Sequence, residues 1–340
     1  MATRHFDALS ASVAAAGGIT ARTEIYGVIG HPIGHSLSPQ IHNTLARELG
    51  VDMAYLAFSP NPNDIRISLE GLFAAGVRGL NVTMPFKGDA YKFAGARHPE
   101  TDCFMAANTL VAERGGGAVH AYNTDFRGFV NAFEMQAGRT FGGLKVLLLG
   151  AGASCRTLSF AIAGQNAKSV SIASRARGRA RSVAELCGKH FKNCKFENIC
   201  YSDSEMYDII AQSDVIVNTT PVGMSSGASS AGSADCAGSA GVAGSDSGAD
   251  SAVSALEDVC PGGIDYAFSP SQCVADLIYS PRETCFLRKA RLSGALAMNG
   301  LGMLLCQAAL AFELFTGISV PEPLLERMMP MIQKCAGAGG

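Results

Sequence analysis

Several residues in this 340-residue chain have side chains and spacing suited to chemistry. Lys87 ends the stretch Gly79-Leu80-Asn81-Val82-Thr83-Met84-Pro85-Phe86-Lys87, in which an apolar strand runs out into a Pro-containing loop that also carries Thr83. A loop lysine more often faces solvent than chemistry, so Lys87 alone decides nothing. Asp125 closes a hairpin made of Ala106–Val111 and Val119–Asp125, turned by Gly115-Gly116-Gly117. A cation and a carboxylate fixed at such strand ends can serve a reaction that builds negative charge on an oxygen. They then stabilise the transition state more than the ground state. Ser36 and Ser38 offer two hydroxyls just ahead of a positive helix end, suited to an anion; they read equally well as a turn and an N-cap. Gln307, in an otherwise apolar run, is either a satisfied core amide or a ligand contact.

A second group surrounds Lys145-Val146-Leu147-Leu148-Leu149-Gly150-Ala151-Gly152-Ala153-Ser154-Cys155-Arg156. An unbroken apolar run of this length is the pattern of a fully buried parallel strand. Gly150 and Gly152 allow a tight turn and a close approach to a pyrophosphate, which would rest on the amides of the following helix. A third glycine would fall at 155, where the chain has Cys155. The next strand, Ser169-Val170-Ser171-Ile172-Ala173, ends in Ser174-Arg175, and Arg177, Arg179 and Arg181 follow. A ribose 2′-hydroxyl calls for an acid at this strand tip, and a 2′-phosphate calls for arginine. With four arginines and no acid, the local reading is NADP.

The length predicts about two domains. Hydrophobic residues make up 48% and charged residues 16%, enough for real cores, and a net charge of −2 argues against an electrostatic nucleic-acid partner. The eleven cysteines show no metal-type or disulfide-framework spacing, so a reducing compartment and no metal are expected. No run reaches the length of a membrane span. Residues 1–23 read as a flexible extension rather than a targeting peptide.

The remaining elements follow from local signals. Residues 25–30 form a strand closed by glycine, residues 31–37 a loop, and Ser38-Pro39 the N-cap and first position of a helix with Ile41, Leu45 and Leu49 on one stripe. Residues 214–218 form another buried strand that ends at Thr219, Thr220, Pro221 and Met224. Residues 225–255 are almost entirely Ser, Ala and Gly, with no apolar period, and read as a mobile insertion without chemistry. A return to strand is expected over 262–279, a helix over 283–292, and an all-apolar helix from 299 that Gly317 stops.

Together and in this order, these stretches resemble the shikimate dehydrogenase family. The matching motifs are residues 26–43, 79–87, 106–110, 123–125, 150–156, 218–224, 276–284 and 300–307. The resemblance implies an α/β fold, in which an N-terminal open α/β substrate domain (24–126 and 299–335) and a Rossmann-type dinucleotide-binding domain (127–298) face each other across a cleft. It implies NADPH-dependent reduction of 3-dehydroshikimate to shikimate, in the route to chorismate and the aromatic amino acids, by a cytoplasmic enzyme acting as monomer or homodimer. Lys87 and Asp125 match the catalytic pair. Ser36, Ser38, Thr83, Asn108, Tyr279 and Gln307 match substrate positions. Gly150, Ala151, Gly152, Ala153, Ser154, Ser174, Arg175, Arg179, Thr219, Met224 and Gly300 match cofactor positions.

Three departures from the family pattern stand out. Ser174 and Ala176 replace the usual Asn and Thr beside Arg175, Ala153 replaces a common glycine, and the insertion follows directly on Met224. Of the rival readings, an NAD-using quinate/shikimate dehydrogenase would carry an acid near 174–175. A catalytically dead sensor would lack Lys87 or Asp125, or would carry a DNA-binding segment. A bare dinucleotide scaffold would leave Lys87 and Asp125 unexplained.

Overall fold

The structure, a computed structural model, describes residues 18–224, 260–263 and 265–337. The expected insertion at 225–255, and the expected extension as far as residue 17, lie outside the described residues. The chain divides into two units. One runs up to Met135 and is joined by Gly302–Cys335; the other spans Gln136–Leu301.

The first unit opens with β1 (Glu24–Ile29), α1 (Ser38–Leu49), β2 (Met53–Phe58), α2 (Ile65–Ala74) and β3 (Gly79–Val82). It continues through α3 (Lys87–Phe93), β4 (Ala96–Arg97), α4 (Pro99–Phe104), the hairpin β5 (Thr109–Ala112) and β6 (Val119–Tyr122), and α5 (Asp125–Ala137). Its sheet has the order β2-β1-β3-β5-β6-β4. Strands β2, β1 and β3 are parallel, and β5 runs antiparallel to both β3 and β6. Leu80, Val82, Phe86, Leu110 and Ala121 form one buried cluster with Ile29. Each large side chain removed from water there contributes about 1.5–3 kcal/mol.

The second unit contains β7 (Lys145–Leu149), α6 (Ala153–Gly164), β8 (Ser169–Ser174), α7 (Arg177–His190), β9 (Lys195–Cys200) and α8 (Met206–Gln212). Then come β10 (Val215–Asn218), β11 (Cys273–Asp276), α9 (Cys285–Leu292) and β12 (Leu296–Met298). The order β12-β11-β10-β7-β8-β9 is parallel throughout, a doubly wound sheet. The apolar runs of β7 and β10 are buried on both faces, as their sequence requires. Tyr266, Phe268 and Phe286 pack ring against ring, 5.2–5.5 Å between centroids.

After β12 the chain enters α10 (Leu301–Thr316) and α11 (Glu322–Gly337). Helix α10 is apolar apart from Gln307 and the exposed Glu313, and belongs to the first unit from Gly302 onward. The Phe315 ring lies 5.0 Å from that of Tyr26, whose hydroxyl donates to the Phe315 carbonyl at 3.1 Å. Gly317 stops the helix with φ 75°.

Four local expectations are corrected. The strand over 262–279 shrinks to Cys273–Asp276, because Pro261, Gly262, Gly263 and Pro270 break the preceding segment. Ser38 is the first residue of α1 and not its cap. Leu37 holds the cap position, and the Ser38 amide donates to Ser36 Oγ at 3.3 Å. The apolar helix expected from 299 starts at Leu301, whose amide donates to Asn299 Oδ1 at 3.1 Å. The helix expected from 283 begins at Cys285, capped by the Thr284 hydroxyl.

Candidate active site

Most of the candidate residues of the first unit converge on one edge of its sheet because of strand order and direction. The parallel register Ile29↔Val82 brings the loop carrying Ser36 and the loop carrying Thr83 out at the same end. The Thr83 amide donates to the Ile29 carbonyl at 3.0 Å and the His31 amide to the Met84 carbonyl at 3.1 Å, which ties the two loops together. Strand β5 starts where β3 ends, with Asn81 opposite Thr109, so Asn108 reaches this edge from the other direction. Strand β6 ends beside it, with Thr109 opposite Tyr122, and delivers Asp125 as the first residue of α5. Open α/β sheets hold their ligands at such an edge.

Lys87 Nζ donates to Asp125 Oδ2 at 2.6 Å, with both side chains partly accessible. The other carboxylate oxygen, Oδ1, accepts from Asn108 Nδ2 at 2.9 Å. Asn108 is itself buried and held on every side. Its Nδ2 also donates to Thr124 Oγ1 at 2.9 Å, and its Oδ1 accepts from the Thr124 amide at 2.7 Å and from Thr109 Oγ1 at 2.9 Å. Gln307 Oε1 lies 3.4 Å from both Asn108 Nδ2 and Thr124 Oγ1, and Gln307 Nε2 donates to the Leu304 carbonyl. Gln307 therefore joins the same cluster as Asn108. Helix α10 approaches this closely because α5 has Gly128 at the crossing. A Cβ there would stand 2.6 Å from Gln307 Cβ and 2.8 Å from its backbone nitrogen.

The Asn108 amide thus fixes Asp125 through one oxygen and leaves the other to the lysine. Charge-assisted hydrogen bonds of this kind contribute about 1.5–3 kcal/mol each. The result is a mobile cation and an anchored carboxylate, partly open to the surroundings, suited to passing a proton to or from an oxygen. Ser38 is buried at the start of α1, Ser36 stands two residues earlier in the preceding loop, and the Thr83 methyl packs on Gly30.

In the second unit, β7 runs into Gly150 at φ 108°, a conformation glycine adopts freely, and Gly152 then caps α6. No side chain caps that helix, its first turn has no acid, and the space beyond Gly152 where a Cβ would point is open. Ala153, Ser154 and Cys155 form the opening turn of α6, and Cys155 is fully buried. Thr219 donates through both its amide and its hydroxyl to the Leu149 carbonyl, at 2.9 and 2.7 Å, and so braces the turn from β10. An open glycine turn with uncapped amides fits a dinucleotide pyrophosphate. The tip of β8 supplies charge: Arg175 and Arg179 flank the start of α7. Ser174 is buried and donates its hydroxyl to the Ala176 carbonyl at 2.7 Å, while Arg177 is paired with Asp203. Asp203 Oδ2 also accepts from the Cys200 amide at 2.8 Å.

Met224 donates its amide to the Pro221 carbonyl. Gly300 lies so close to the Leu277 carbonyl that a Cβ would stand 2.1 Å from that oxygen. Tyr279 belongs to this second unit, and burial pushes its phenol up. Among the described residues, no group of three or more His, Cys, Asp or Glu could hold a metal ion, and no helix is long and apolar enough to cross a membrane.

Sequence reading missed four groups. Tyr55, Asn81 and Thr109 are buried polar residues bonded behind Asn108; polar residues inside buried strands were the available signal. Asp276 is the fourth, a carboxylate at the tip of β11. It accepts from Asn218 Nδ2, Thr284 Oγ1 and the Ile278 amide, and so holds the loops after β10 and β11 together.

Comparison with known proteins finds one family along the chain. The family description "Shikimate dehydrogenase substrate binding domain" matches residues 28–110. "Shikimate / quinate 5-dehydrogenase" matches 134–223, and "Shikimate 5'-dehydrogenase C-terminal domain" matches 300–327. A protein of Caldanaerobacter subterraneus named shikimate dehydrogenase (NADP(+)) is 33% identical, over 88% of this chain and 94% of its own. The crystal structure of a shikimate dehydrogenase in complex with NADP+ aligns with a TM-score of 0.75 at 28% identity, covering 92% of this chain and 97% of the other. The Listeria monocytogenes shikimate 5-dehydrogenase, solved with shikimate and NAD, aligns with a TM-score of 0.75 at 29% identity over 92% and 98%. With two α/β units, a lysine–carboxylate pair at one sheet edge and a glycine turn opening a helix in the other unit, the chain belongs to the shikimate dehydrogenase family.

Proposed function

We propose that this protein catalyses the reversible, NADPH-dependent reduction of 3-dehydroshikimate to shikimate, on the way to chorismate and the aromatic amino acids. The observation that carries the reading is the Lys87–Asp125 pair, 2.6 Å apart at the sheet edge and tied through Asn108 to Gln307. The negative net charge and the free described cysteines support a cytoplasmic enzyme with a small-molecule substrate and no nucleic-acid partner. It is read as working as a monomer or homodimer.

NADPH, when bound, supplies the hydride that reaches the ketone carbon. Gly150, Ala151, Gly152, Ala153 and Ser154 would receive its pyrophosphate on the first amides of α6. Arg175 and Arg179, beside Ser174, would take the 2′-phosphate, and Thr219, Met224 and Gly300 would hold the nicotinamide end. Ser36 and Ser38 hold the substrate carboxylate. Thr83, Asn108, Tyr279 and Gln307 are the residues proposed to hold the ring hydroxyls or the carboxylate. As the ketone oxygen gains negative charge, the Lys87 ammonium stands beside it, and the Lys87–Asp125 pair delivers the proton that completes the alcohol. In the reverse direction the same pair accepts the hydroxyl proton.

The test is a rate comparison with purified protein, offering 3-dehydroshikimate and quinate pairs with NADP(H) and NAD(H). Turnover concentrated on the shikimate–NADP(H) pair supports the reading. Preference for quinate with NAD would replace it, and absence of turnover with every pair would point to a sensor.

A further inference from the structure

A buried line of hydrogen bonds runs behind the candidate pair, and all of its donors point the same way. Tyr55 on β2 donates its hydroxyl to Asn81 Oδ1 at 2.7 Å. Asn81 on β3 donates Nδ2 to Thr109 Oγ1 at 3.0 Å and to the Asn108 carbonyl at 3.3 Å. Thr109 on β5 donates its hydroxyl to Asn108 Oδ1 at 2.9 Å, and Asn108 donates Nδ2 to Asp125 Oδ1 at 2.9 Å. All four residues before Asp125 are buried, Tyr55 and Thr109 at 1% and 0% exposure. Buried polar groups are costly unless paired, and four such groups spread from β2, across β1, to β3 and β5 could be replaced by apolar ones if packing were the only demand. The far end is closed by His42, whose ring stacks on Tyr55 at 4.0 Å and 1°. Burial keeps that imidazole neutral, so no cation competes at the start of the line.

We infer that Tyr55, Asn81 and Thr109 are positioning residues for the reaction: their one-way hydrogen bonds orient the Asn108 amide so that its N–H meets Asp125 Oδ1 and the second carboxylate oxygen is left to Lys87. The direction of each bond supports this. A reversed Asn81 amide would set its oxygen against the Asn108 carbonyl, which only accepts, so the N–H is held toward Thr109 and the oxygen toward Tyr55. Thr109 spends its single proton on Asn108 Oδ1, which forces the Asn108 N–H outward to the carboxylate. Consecutive donors also polarise one another, so the last N–H is a better donor than an isolated amide. None of the three touches the reacting atoms, so each acts through Asn108 and Asp125.

The inference rests on the dehydrogenase reading above, and its test begins with turnover of shikimate and NADP+ by the parent protein, where absence of turnover would sink that reading first. Thr109→Val keeps the shape and removes both bonds of the line, together with the 3.5 Å contact to Thr124 Oγ1. It is expected to lower kcat about tenfold while shikimate KM stays within twofold. Thr109→Ser restores the hydroxyl and should recover kcat to within twofold of the parent. Tyr55→Phe, which removes only the first bond, should cost about threefold in kcat, and it carries the test should Thr109→Val fail to fold. In an Asp125→Asn background the Thr109→Val change should have no further effect, because the residue it acts through is already disabled. Parent-like kcat in both Thr109→Val and Tyr55→Phe would overturn the inference. So would equal losses in the Val and Ser variants, or a full tenfold loss in the Asp125→Asn background.

Discussion

Lys87 has the largest predicted effect of any single residue. Lys87→Ala should lower kcat by about a hundredfold or more, the scale of losing a positioned proton donor, with little change in shikimate KM. Asp125→Asn should fall with it, and the double variant should be little worse than either, since the two act as a unit. Ser36→Ala and Ser38→Ala should instead raise shikimate KM, because a carboxylate remote from the reacting carbon contributes mostly uniform binding. Steady-state kinetics of the four variants separates these outcomes; near-parental kcat in Lys87→Ala would remove the mechanism. Sequence placed Lys87 and Asp125 at strand ends through turn chemistry alone, a proline at 85 and glycines at 115–117. Their 2.6 Å contact was out of reach, because it depends on an antiparallel strand inserted into a parallel sheet.

Where α7 begins, Arg177 is paired with Asp203, and the family's cofactor positions fall on Arg175 and Arg179, so Arg177→Ala should disturb NADPH binding less than Arg175→Ala. For Arg175→Ala, loss of a charged hydrogen bond of about 1.5–3 kcal/mol predicts a ten- to hundredfold rise in KM for NADPH. Residual NADH turnover should barely move; equal losses with both cofactors would assign Arg175 another task. The arginine run was visible in the sequence, but Asp203 was not, since it lies past the next strand and reaches back only through the β8–β9 pairing. Where α5 crosses α10, Gly128→Ala would force the two helices apart at Gln307. A cost of about 1–3 kcal/mol is expected from overpacking, read by denaturant unfolding, along with a raised shikimate KM. Gly128 stands three residues past Asp125, but its partner lies 179 positions away and no local pattern joins them. Apolar runs and glycine turns made β7, β10 and α10 legible. The segment before β11 was misread because its scattered apolar residues are core contacts from loops and not a strand.

The two units should respond to acid in opposite senses. In the first, burial pushes His42 down to about 3, so its contribution to stability is full above pH 6.5 and is lost as pH falls toward 3. In the second, burial pushes Asp276 up to about 6, against the hydrogen bonds from Ile278, Thr284 and Asn218 that pull it down. Its contribution is full below the ordinary carboxylate range and is lost as pH rises through about 6. Acidification from pH 6.5 to 4.5 should therefore loosen the first unit, by about 1.4 kcal/mol per pH unit from His42, and tighten the second. Hydrogen exchange resolved by unit would read this, and His42→Phe should flatten the first response and Asp276→Asn the second. The return of the chain through α10 also bears on the order in which the polypeptide leaves the ribosome. Residues 136–301 are contiguous and can close their parallel sheet as soon as they emerge. The first 135 residues must wait for Phe315 to cover Tyr26 and for Gln307 to reach Asn108, nearly 200 residues later. The part of the protein made first is thus the part finished last. On stalled nascent chains, protease should spare the second unit while it still cuts the first.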